Sequence, residues 1–355
     1  MDVDRVLLAA PRGFCAGVEM AIKALAWMVR VFEPPVYCYH EIVHNQVVVE
    51  RFRQLGVIFV DDVGEVPDGA PLMLSAHGSG PEVVAAARTN RGPVVNAVCP
   101  LVTKVHREVK LRAGKGYTVM YVGHRGHDEA VGTVAVAPEA VELVEDEAGV
   151  AAMAPPPGPV AFLAQTTLAL DEWRGVLKAA QERFPDLWVP GRSDLCFATT
   201  NRQSALKAIA GKADAVVVIG SANSSNTLAL ERTARNAGAP RVLRVDGADA
   251  LPDDLTGVVG VTAGASAPEE LVRAVLERLD PRHGVEQVTV TDEDEYFPLP
   301  PELRGLLRAT AAAAAVALLA PPGDGVGTGP DGLPDGRHLA ASDVLDTLRT
   351  PAGGD

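Results

Sequence analysis

The chain has 355 residues, of which 47% are apolar and 22% are charged. This composition allows a large hydrophobic core divided over two or three domains, and it excludes a largely disordered protein. Lys and Arg number 32 against 46 Asp and Glu, a formal net charge of −14, which argues against a nucleic-acid binder that relies on overall basicity and predicts that any anionic ligand is held by local donors.

The sequence predicts a protein of the cytoplasm. Residues 1–5 (MDVDR) lead directly into a strand-like run, without the apolar core and cleavage site of a signal peptide. The longest largely apolar run, 309–320, has twelve residues, whereas a membrane-spanning helix needs roughly 20. Four widely spaced cysteines are too few for the disulfide framework of a secreted domain. We therefore expect reduced thiols, no membrane partner and no nucleic-acid partner.

Short β-branched runs alternate along the chain with helical patterns. In order, they are RVLLAA before AGVEMAIKALAWMVRVF, PLMLSAHG before PEVVAAART, the strand YTVMYVGH, PVAFLAQTT before DEWRGVLKAAQERF, and ADAVVVIGSA before TLALERTARNAG. Such alternation predicts an α/β protein with βαβ units and mostly parallel sheets. Ligands of such folds bind at the carboxyl ends of the strands.

Three cysteines recur at similar intervals within this pattern. Cys15, Cys99 and Cys196 each precede a helical segment, and they lie 84 and 97 residues apart. Each is followed 28 or 29 residues later by one polar strand-end residue, and 33 to 42 residues after that by a second. The polar pairs are His44 and His77, His127 and Thr166, and Ser224 and Ser266. Unless the spacing is a coincidence, it predicts a threefold internal repeat of α/β units whose cysteines point at a common axis.

The repeat divides the folded part of the chain into three α/β units, predicted as 1–98, 99–195 and 196–300. Residues 301–355 have a different composition: an alanine-rich, helix-prone segment is followed by a tail with 8 Gly, 5 Pro and 6 Asp in its 35 residues. That tail composition is typical of disorder. We interpret the alanine-rich segment as a linker helix or a disordered segment, with a partner-binding helix as the alternative.

Cysteines at helix starts are suited to bind metal as thiolates. Free N–H groups and the helix dipole favour the thiolate form there. Three converging thiolates could hold a zinc ion with an open fourth position, or three irons of a 4Fe–4S cluster whose fourth iron is left open. The spacing does not choose between zinc and iron. The fourth cysteine, Cys38 in VYCYH, lies outside the repeat, and we expect it to be a core residue.

The segment HEIVH, 40–44, matches the H-E-x-x-H pattern of zinc proteases. That chemistry needs both histidines on one face of a continuous helix. Here the segment follows the strand-like VYCY, and a helical pattern begins only around Asn45. We therefore reject the protease interpretation, and we expect His44 at a strand end and His40 in a structural role.

Polar residues at the other predicted strand ends are suited to an anionic ligand. His77 and His127 follow apolar strands and glycine-containing turns. The loops SANSSN (221–226) and VTAGASAP (261–268) supply hydroxyls, an amide and backbone N–H groups near helix starts. Together these groups could bind a phosphate or a diphosphate. Glu129 is the one carboxylate in this set, so it is the candidate proton donor.

These motifs resemble those of one family, the 4-hydroxy-3-methylbut-2-enyl diphosphate reductases (IspH, also called LytB) of the non-mevalonate isoprenoid pathway. The matching segments are PRGFCAGV, HEIVHN, SAHG, CPLVTKVH, GHRGHDE, QTTL, CFATTNRQ, GSANSSN and VTAGASAP. The resemblance implies a trefoil of three units around a 4Fe–4S cluster with an open fourth iron and the ligands Cys15, Cys99 and Cys196. It also implies an oxidoreductase that removes an allylic hydroxyl with two electrons and two protons, which forms isopentenyl and dimethylallyl diphosphates.

The resemblance further implies a role for each site residue. Glu129 would be the proton donor, and Thr166 would contact the substrate hydroxyl or its proton-relay water. The residues that would bind the diphosphate are His44, His77, His127, Ser224, Ser225, Asn226 and Ser266. Two positions depart from the family pattern. Asp128 stands where the family often has proline, which puts the local geometry and pKa of Glu129 in doubt, and Ala222 replaces a longer polar residue.

An electron donor must come from outside the chain, because no G-x-G-x-x-G nucleotide fingerprint occurs at a strand-to-helix turn. The resemblance implies a ferredoxin or flavodoxin with its reductase. The densest basic stretch could dock such an acidic carrier or could be a solvated helix face, and it contains Lys104, Arg107, Lys110, Arg112 and Lys115. The residues by themselves leave open a three-cysteine zinc hydrolase or lyase acting on a phosphorylated substrate, and a non-catalytic iron–sulfur sensor.

Overall fold

A computed structural model describes residues 1–317 and 340–347. These residues contain three β-sheets flanked by helices, and the strands within each sheet are parallel. The α/β fold class with small parallel sheets, predicted from the alternation of strands and helices, is confirmed. Strands and helices are numbered below in chain order.

The first sheet has four strands, and its residues lie near the start of the chain. Its strands are β2 (Val36–Tyr39), β3 (Val57–Val60), β4 (Leu72–Leu74) and β5 (Val94–Asn96), with helices α1 (Ala16–Val31), α2 (Gln46–Gln54) and α3 (Pro81–Thr89) and a 3₁₀ turn at Val63–Glu65. The strand order is β3-β2-β4-β5. Cys38 lies within β2 and is fully buried in the core between this sheet and α1, as expected of a core residue.

The second sheet has three strands in the order β7-β6-β8. Its strands are β6 (Thr118–Val122), β7 (Val141–Val144) and β8 (Val160–Ala164), with helices α4 (Pro100–Ala113), α5 (Asp128–Val134), α6 (Glu147–Ala152) and α7 (Leu170–Arg183). All five residues of β8 are buried, because helices cover both faces of a parallel sheet.

The third sheet has five strands in the order β10-β9-β11-β1-β12. Its strands are β1 (Asp2–Ala10), β9 (Ala215–Ile219), β10 (Val242–Val245), β11 (Thr256–Ala263) and β12 (Val285–Thr289), with helices α8 (Phe197–Ala210), α9 (Ser225–Asn236) and α10 (Glu269–Leu279) and a 3₁₀ turn at Ala248–Ala250.

The N-terminal strand β1 departs from the sequence-based division of the chain. The division places residues 2–10 in the first unit, but β1 pairs on one side with β11 and on the other with β12 of the third sheet. The last five residues of β1 are buried, and a strand that is apolar on both faces is accommodated inside a sheet rather than at its edge. The chain start and the third unit therefore share one sheet.

The end of the chain contributes two described helices, α11 (Pro301–Ala317) and α12 (Ala341–Thr347). Helix α11 agrees with the helix propensity of the alanine-rich segment. Residues 341–347 were expected to belong to a disordered tail, yet Ala341 and Leu345 are buried in the core of the first unit together with Leu303 of α11. Ala341, Val344 and Leu345 of α12 supply the apolar side chains that pack against this core. The end of the alanine-rich segment, 318–320, and the rest of the expected tail, 321–339 and 348–355, lie outside the described residues.

Candidate active site

Each of the three repeat cysteines begins a helix. Cys15 is the N-cap of α1, Cys99 of α4 and Cys196 of α8. Their backbone N–H groups donate to carbonyl oxygens in loops that follow other strands. These acceptors are, in the same order, Ala265 at 3.2 Å, Ala76 at 3.0 Å and Thr166 at 3.0 Å. Each acceptor is, or directly precedes, the second polar residue of one repeat. Cys99 and Cys196 are thus bonded to the preceding unit and Cys15 to the third unit, so the three units meet around one centre.

Gly17, in the first turn of α1, lies close to two of the sulfurs. A Cβ atom at this position would lie 2.9 Å from the Sγ of Cys99 and 3.9 Å from that of Cys15. The third sulfur, of Cys196, lies 3.2 Å from the donating N–H of Thr199 and 2.9 Å from its hydroxyl. All three cysteines line the same cavity. The absence of a side chain at Gly17 thus allows the Cys99 sulfur to approach the first turn of α1 beside Cys15.

The thiols of Cys99 and Cys196 are neutral in the protein chain alone. Burial, together with the neighbouring Cys15, raises the pKa of Cys99 and that of Cys196 to about 12. Thiolates at these positions therefore need a positive centre between them. The cavity is also lined by apolar residues that come shortly after the three cysteines in the sequence. These are Val18, Leu101, Val102, Phe197 and Ala198. Soft sulfur donors in apolar surroundings fit a thiolate-bound metal centre, and an iron–sulfur cluster is one such group.

Three histidines from three loops lie together in the cavity. The His44 and His77 rings stack with centroids 3.9 Å apart, and His127 meets the edge of His44 at 5.1 Å. Burial lowers the pKa of His127 to about 4 and holds the pKa of His77 well below its ordinary value. Within residues 1–317 and 340–347, the buried Nε2 of His44 and Nδ1 of His77 have no hydrogen-bond partner. Both nitrogens instead face the carboxylate of Asp128, at 3.9 Å from His44 and 3.6 Å from His77.

Asp128 directs its carboxylate at histidines. Its Oδ1 lies 2.9 Å from Nδ1 of His40, and its Oδ2 lies 3.6 Å from His77 and 3.9 Å from His44. Although burial opposes it, the hydrogen bond from His40 and the nearby imidazoles hold the pKa of Asp128 below its ordinary value. The departure from the family pattern therefore adds a negative charge beside the histidines. The carboxyl of Glu129 does not take part in this group and is hydrogen-bonded to Thr166.

His40 has the structural role expected for it. It lies between β2 and α2 with φ at +58°, which is not a helical conformation, and the hydrogen bond to Asp128 is the main reason that its pKa is raised. Helix α2 begins only after Asn45, whose side chain accepts from the N–H groups of Val47 and Val48. The H-E-x-x-H segment is therefore not a helix, and the rejection of a protease site is confirmed.

The serine and asparagine side chains lie at the N-terminus of α9 and in the loop after β11. Ser224 caps α9 and accepts from the N–H of Thr227 at 3.3 Å. Asn226 accepts from the N–H of Ala265 at 2.9 Å, and Ser266 donates to the His44 carbonyl at 2.9 Å. These bonds join the two loops to each other and to the first unit. The free N–H groups of a helix start add a favourable potential for an anion.

Glu129 is a buried carboxyl held by one residue. Its side chain accepts from the Thr166 backbone N–H at 2.7 Å and from the Thr166 hydroxyl at 3.0 Å. Burial outweighs these two bonds and raises the pKa of Glu129 to about 7. A carboxyl with this pKa is partly protonated at neutral pH, which is the property of a general acid.

Several residues of the site were not predicted from the sequence. Thr199 bonds the Cys196 sulfur, and Gln165 bonds Ser225 and Thr167. Arg202, only 1% exposed, donates to the carbonyls of Gly13 and Phe14 and so connects α8 to the loop before Cys15. Phe297 lines the cavity. Thr199 and Arg202 lie in the CFATTNRQ segment, which was the available signal.

The cavity unites every residue selected from the sequence. Its lining includes all of Cys15, His44, His77, Cys99, His127, Glu129, Thr166, Cys196, Ser224, Ser225, Asn226 and Ser266. A group of thiols, a set of histidine, serine and asparagine side chains, and a buried acid thus face one space. Among the described residues, no helix combines the length and the apolar character needed to cross a membrane.

A model of the family described as "LytB protein" matches residues 6–280. The chain belongs to the LytB family. It is 47% identical over 321 residues to the 4-hydroxy-3-methylbut-2-enyl diphosphate reductase of Rhodopirellula baltica. The alignment covers 88% of this chain and 100% of that protein. It is also 47% identical over 312 residues to the 4-hydroxy-3-methylbut-2-enyl diphosphate reductase 1 of Mycobacterium tuberculosis, which covers 84% of this chain and 94% of that protein.

Solved structures of LytB family members have the same fold. The E-1-hydroxy-2-methyl-but-2-enyl-4-diphosphate reductase from Plasmodium falciparum superposes with a TM-score of 0.83 at 30% identity, covering 87% of this chain and 99% of that chain. A second reductase structure, described as the terminal enzyme of the non-mevalonate pathway, has a TM-score of 0.56 at 28% identity and covers 78% of this chain. The LytB family is one of iron–sulfur oxidoreductases, so the resemblance drawn from the motifs is confirmed.

Proposed function

We propose that this LytB family member reductively removes the hydroxyl of 4-hydroxy-3-methylbut-2-enyl diphosphate. Substrate, two electrons and two protons give water and either isopentenyl or dimethylallyl diphosphate. The carbon–oxygen bond of the allylic alcohol breaks, and a carbon–hydrogen bond forms. One observation carries the proposal: three cysteines, a set of histidine, serine and asparagine side chains, and a buried acid line a single cavity.

The cysteines are the proposed ligands of a 4Fe–4S cluster. Cys15, Cys99 and Cys196 would bind three irons, which leaves the fourth iron without a protein ligand. When bound, such a cluster supplies electrons and a Lewis-acidic iron. The close approach of the Cys99 sulfur to Gly17 and the neutral thiols of Cys99 and Cys196 support this assignment.

The set of histidine, serine and asparagine side chains is the proposed diphosphate subsite. Its donors come from both sides of the cavity and are His44, His77, His127, Ser224, Ser225, Asn226 and Ser266. The N-terminus of α9 favours an anion there, in a protein whose net charge is −14. Local donors thus offset the unfavourable overall charge.

Glu129 is the proposed proton donor. Its pKa of about 7 keeps a proton available at neutral pH, and its bonds to Thr166 fix the direction of the carboxyl. The hydroxyl of Thr166 would also contact the substrate hydroxyl or a water between the two. Because the donor is buried, the departing hydroxyl would be protonated in a site from which bulk water is largely excluded.

Electrons would come from a ferredoxin or flavodoxin of the cytoplasm, docked near α4. Arg107, Lys110 and Lys115 of the basic stretch are exposed. Arg112 has a different role, because its guanidinium stacks 3.6 Å from the Trp188 ring centroid and pairs with Glu108. Lys104 lies 3.5 Å from the buried carboxylate of Asp194. The docking surface would therefore consist of Arg107, Lys110 and Lys115, whereas Lys104, although exposed, is paired with Asp194.

The test is anaerobic purification followed by metal and sulfide analysis and an assay with the hydroxylated allylic diphosphate. We expect about four irons and four sulfides per chain and consumption of the substrate when the protein is reduced. A colourless protein containing zinc would support a hydrolase or lyase instead. An iron–sulfur protein that leaves the substrate unchanged when reduced would support a sensor.

A further inference from the structure

His124 lies at the boundary between the second and third units, outside the residues assigned above. It follows β6, and its Nδ1 lies 3.2 Å from the hydroxyl oxygen of Ser225 at the start of α9. Its other ring nitrogen, Nε2, lies 3.2 Å from Nη2 of Arg232 and 3.5 Å from Oε1 of Glu172. The imidazole is therefore fixed at both nitrogens by side chains of other elements.

The Ser225 hydroxyl also receives a hydrogen bond from Gln165. The amide orientation of Gln165 is defined, because its Oε1 accepts from the backbone N–H of His124 at 2.9 Å. Its Nε2 therefore donates, to Ser225 Oγ at 3.0 Å and to Thr167 Oγ1 at 2.9 Å. Gln165 is fully buried, so this bond is shielded from water. One lone pair of Ser225 Oγ is thus occupied.

Arg232 determines which nitrogen of His124 carries a proton. Its Nη2 donates to Oε2 of Glu172 at 3.1 Å and directs its second hydrogen at Nε2 of His124. A guanidinium cannot accept a hydrogen bond, so Nε2 accepts and the proton of the neutral ring is on Nδ1. A protonated ring carries a proton on Nδ1 as well. Only the neutral tautomer with its proton on Nε2 lacks a proton on Nδ1. In that tautomer Nε2 of His124 and Nη2 of Arg232 would be two donors 3.2 Å apart.

We propose that His124 is a positioning residue for the diphosphate subsite. Its Nδ1–H joins the Gln165 amide and the Thr167 hydroxyl, 3.0 Å away, as donors to Ser225 Oγ, so the serine has only its own proton to offer. That proton can point to a ligand oxygen in the cavity. A serine held as an obligatory donor selects a fully ionised anion over a ligand group that donates. This inference rests on the proposed binding of diphosphate by Ser225.

The charge around His124 agrees with this arrangement. Although burial opposes it, the neighbouring His124 and the charge of Arg232 lower the pKa of Glu172, so Glu172 is ionised. Glu172 and Arg232 also form an ion pair of their own. The positive guanidinium and the negative carboxylate compensate each other, which leaves His124 to act on Ser225 through its hydrogen bond.

The first experiment compares His124→Leu with His124→Asn in the reduced-cluster holoenzyme. The amide nitrogen of asparagine is attached to Cγ, as Nδ1 of histidine is, so His124→Asn can keep the donor. We expect His124→Leu to raise the Kd for inorganic diphosphate and the KM for substrate about tenfold, since a hydrogen bond to a charged group is worth roughly that factor or more. We expect kcat within about threefold of wild type, and His124→Asn to restore most of the affinity.

The second experiment repeats His124→Leu in a Ser225→Ala background. We expect no further loss of diphosphate affinity there, because a positioning residue acts only through the group that it positions. A further tenfold loss would overturn the proposal, as would normal affinity in His124→Leu when Ser225→Ala is weakened. Normal affinity in Ser225→Ala would instead overturn the assignment of Ser225 to the diphosphate, and the proposal with it.

The matched control is His283→Leu. His283 is an exposed imidazole that pairs with Asp4, and its loss should leave diphosphate affinity and cluster content unchanged. If His124→Leu fails to load its cluster, His124→Gln is used in its place. The amide nitrogen of glutamine is one carbon farther from Cα than that of asparagine, so it does not match the position of Nδ1. It should lose the affinity that His124→Asn keeps, and equal affinity in the two variants would count against the proposal.

Discussion

Thr166 bonds the carboxyl of Glu129 with both its backbone N–H, at 2.7 Å, and its hydroxyl, at 3.0 Å. The carbonyl of the same Thr166 accepts from the backbone N–H of Cys196 at 3.0 Å. One residue therefore links the proposed proton donor to a proposed cluster ligand. A displacement of this loop would move both groups, and the chemistry of the site is expected to depend on the position of Thr166.

Glu129→Gln should abolish most turnover and leave binding intact. Glutamine keeps the size of the side chain but has no acidic proton, and general acid catalysis contributes roughly 10²–10⁴-fold. We expect kcat to fall at least about 100-fold, with unchanged iron content and unchanged diphosphate affinity. The control is Glu142→Gln, an exposed position on β7. Near-normal kcat in Glu129→Gln would remove Glu129 from this role.

The pH dependence of kcat should follow Glu129. With a pKa of about 7, the carboxyl is protonated below this pH and loses its proton above it, so kcat should decline on the alkaline side of about pH 7. Thr166→Val removes a hydrogen bond that lowers this pKa. The alkaline limb of its kcat profile should therefore move to higher pH, and a limb that stays in place would contradict the assignment.

Gly17→Ala should impair cluster binding. A Cβ at Gly17 would lie 2.9 Å from the Cys99 sulfur, a separation that forces the thiol or the helix to move. We expect lower iron and sulfide content after anaerobic reconstitution. The content is expressed per folded chain, and circular dichroism measures how much of the chain is folded. The control is Gly305→Ala, where an added methyl has open space. Full cluster content in Gly17→Ala would show that cluster binding does not depend on this close approach.

Leu345→Ala should destabilise the first unit. Leu345 is 4% exposed and packs in the same core as Leu303, and a buried Leu→Ala change typically costs about 2–4 kcal/mol. The free energy of unfolding of the cluster-containing protein in urea measures this loss. Arg308→Ala, at an exposed position of α11, is the control. An unchanged unfolding midpoint for Leu345→Ala would mean that α12 contributes little to stability.

Reversal of charge at Lys110 and Lys115 should weaken turnover driven by a protein carrier. Both side chains are exposed, whereas Arg112 stacks on Trp188 and is unsuitable for this test. We expect Lys110→Glu with Lys115→Glu to raise the KM for an acidic ferredoxin or flavodoxin several-fold at low salt, with less effect at high salt. Turnover with a small chemical reductant should not change. An unchanged KM for the carrier would place docking elsewhere.

Much of the site could be predicted from the sequence because its chemistry is carried by local patterns. Cys15, Cys99 and Cys196 stand at helix starts, and the polar residues follow apolar strands, so each position is visible from its neighbours along the chain. The parallel sheets follow from the same alternation. The roles of these residues remain proposals, but their presence in one cavity agrees with the spacing of the repeat.

The tertiary structure decided what depends on contacts between distant parts of the chain. No local pattern places β1 between β11 and β12, directs Asp128 at three histidines, or brings Leu345 back to the first unit. The contact of His124 with Ser225 spans 101 residues and depends on how two units pack. Local sequence determines which residues begin a helix or end a strand, since those preferences act over a few residues, whereas the partner of each side chain is determined by the packing of whole units.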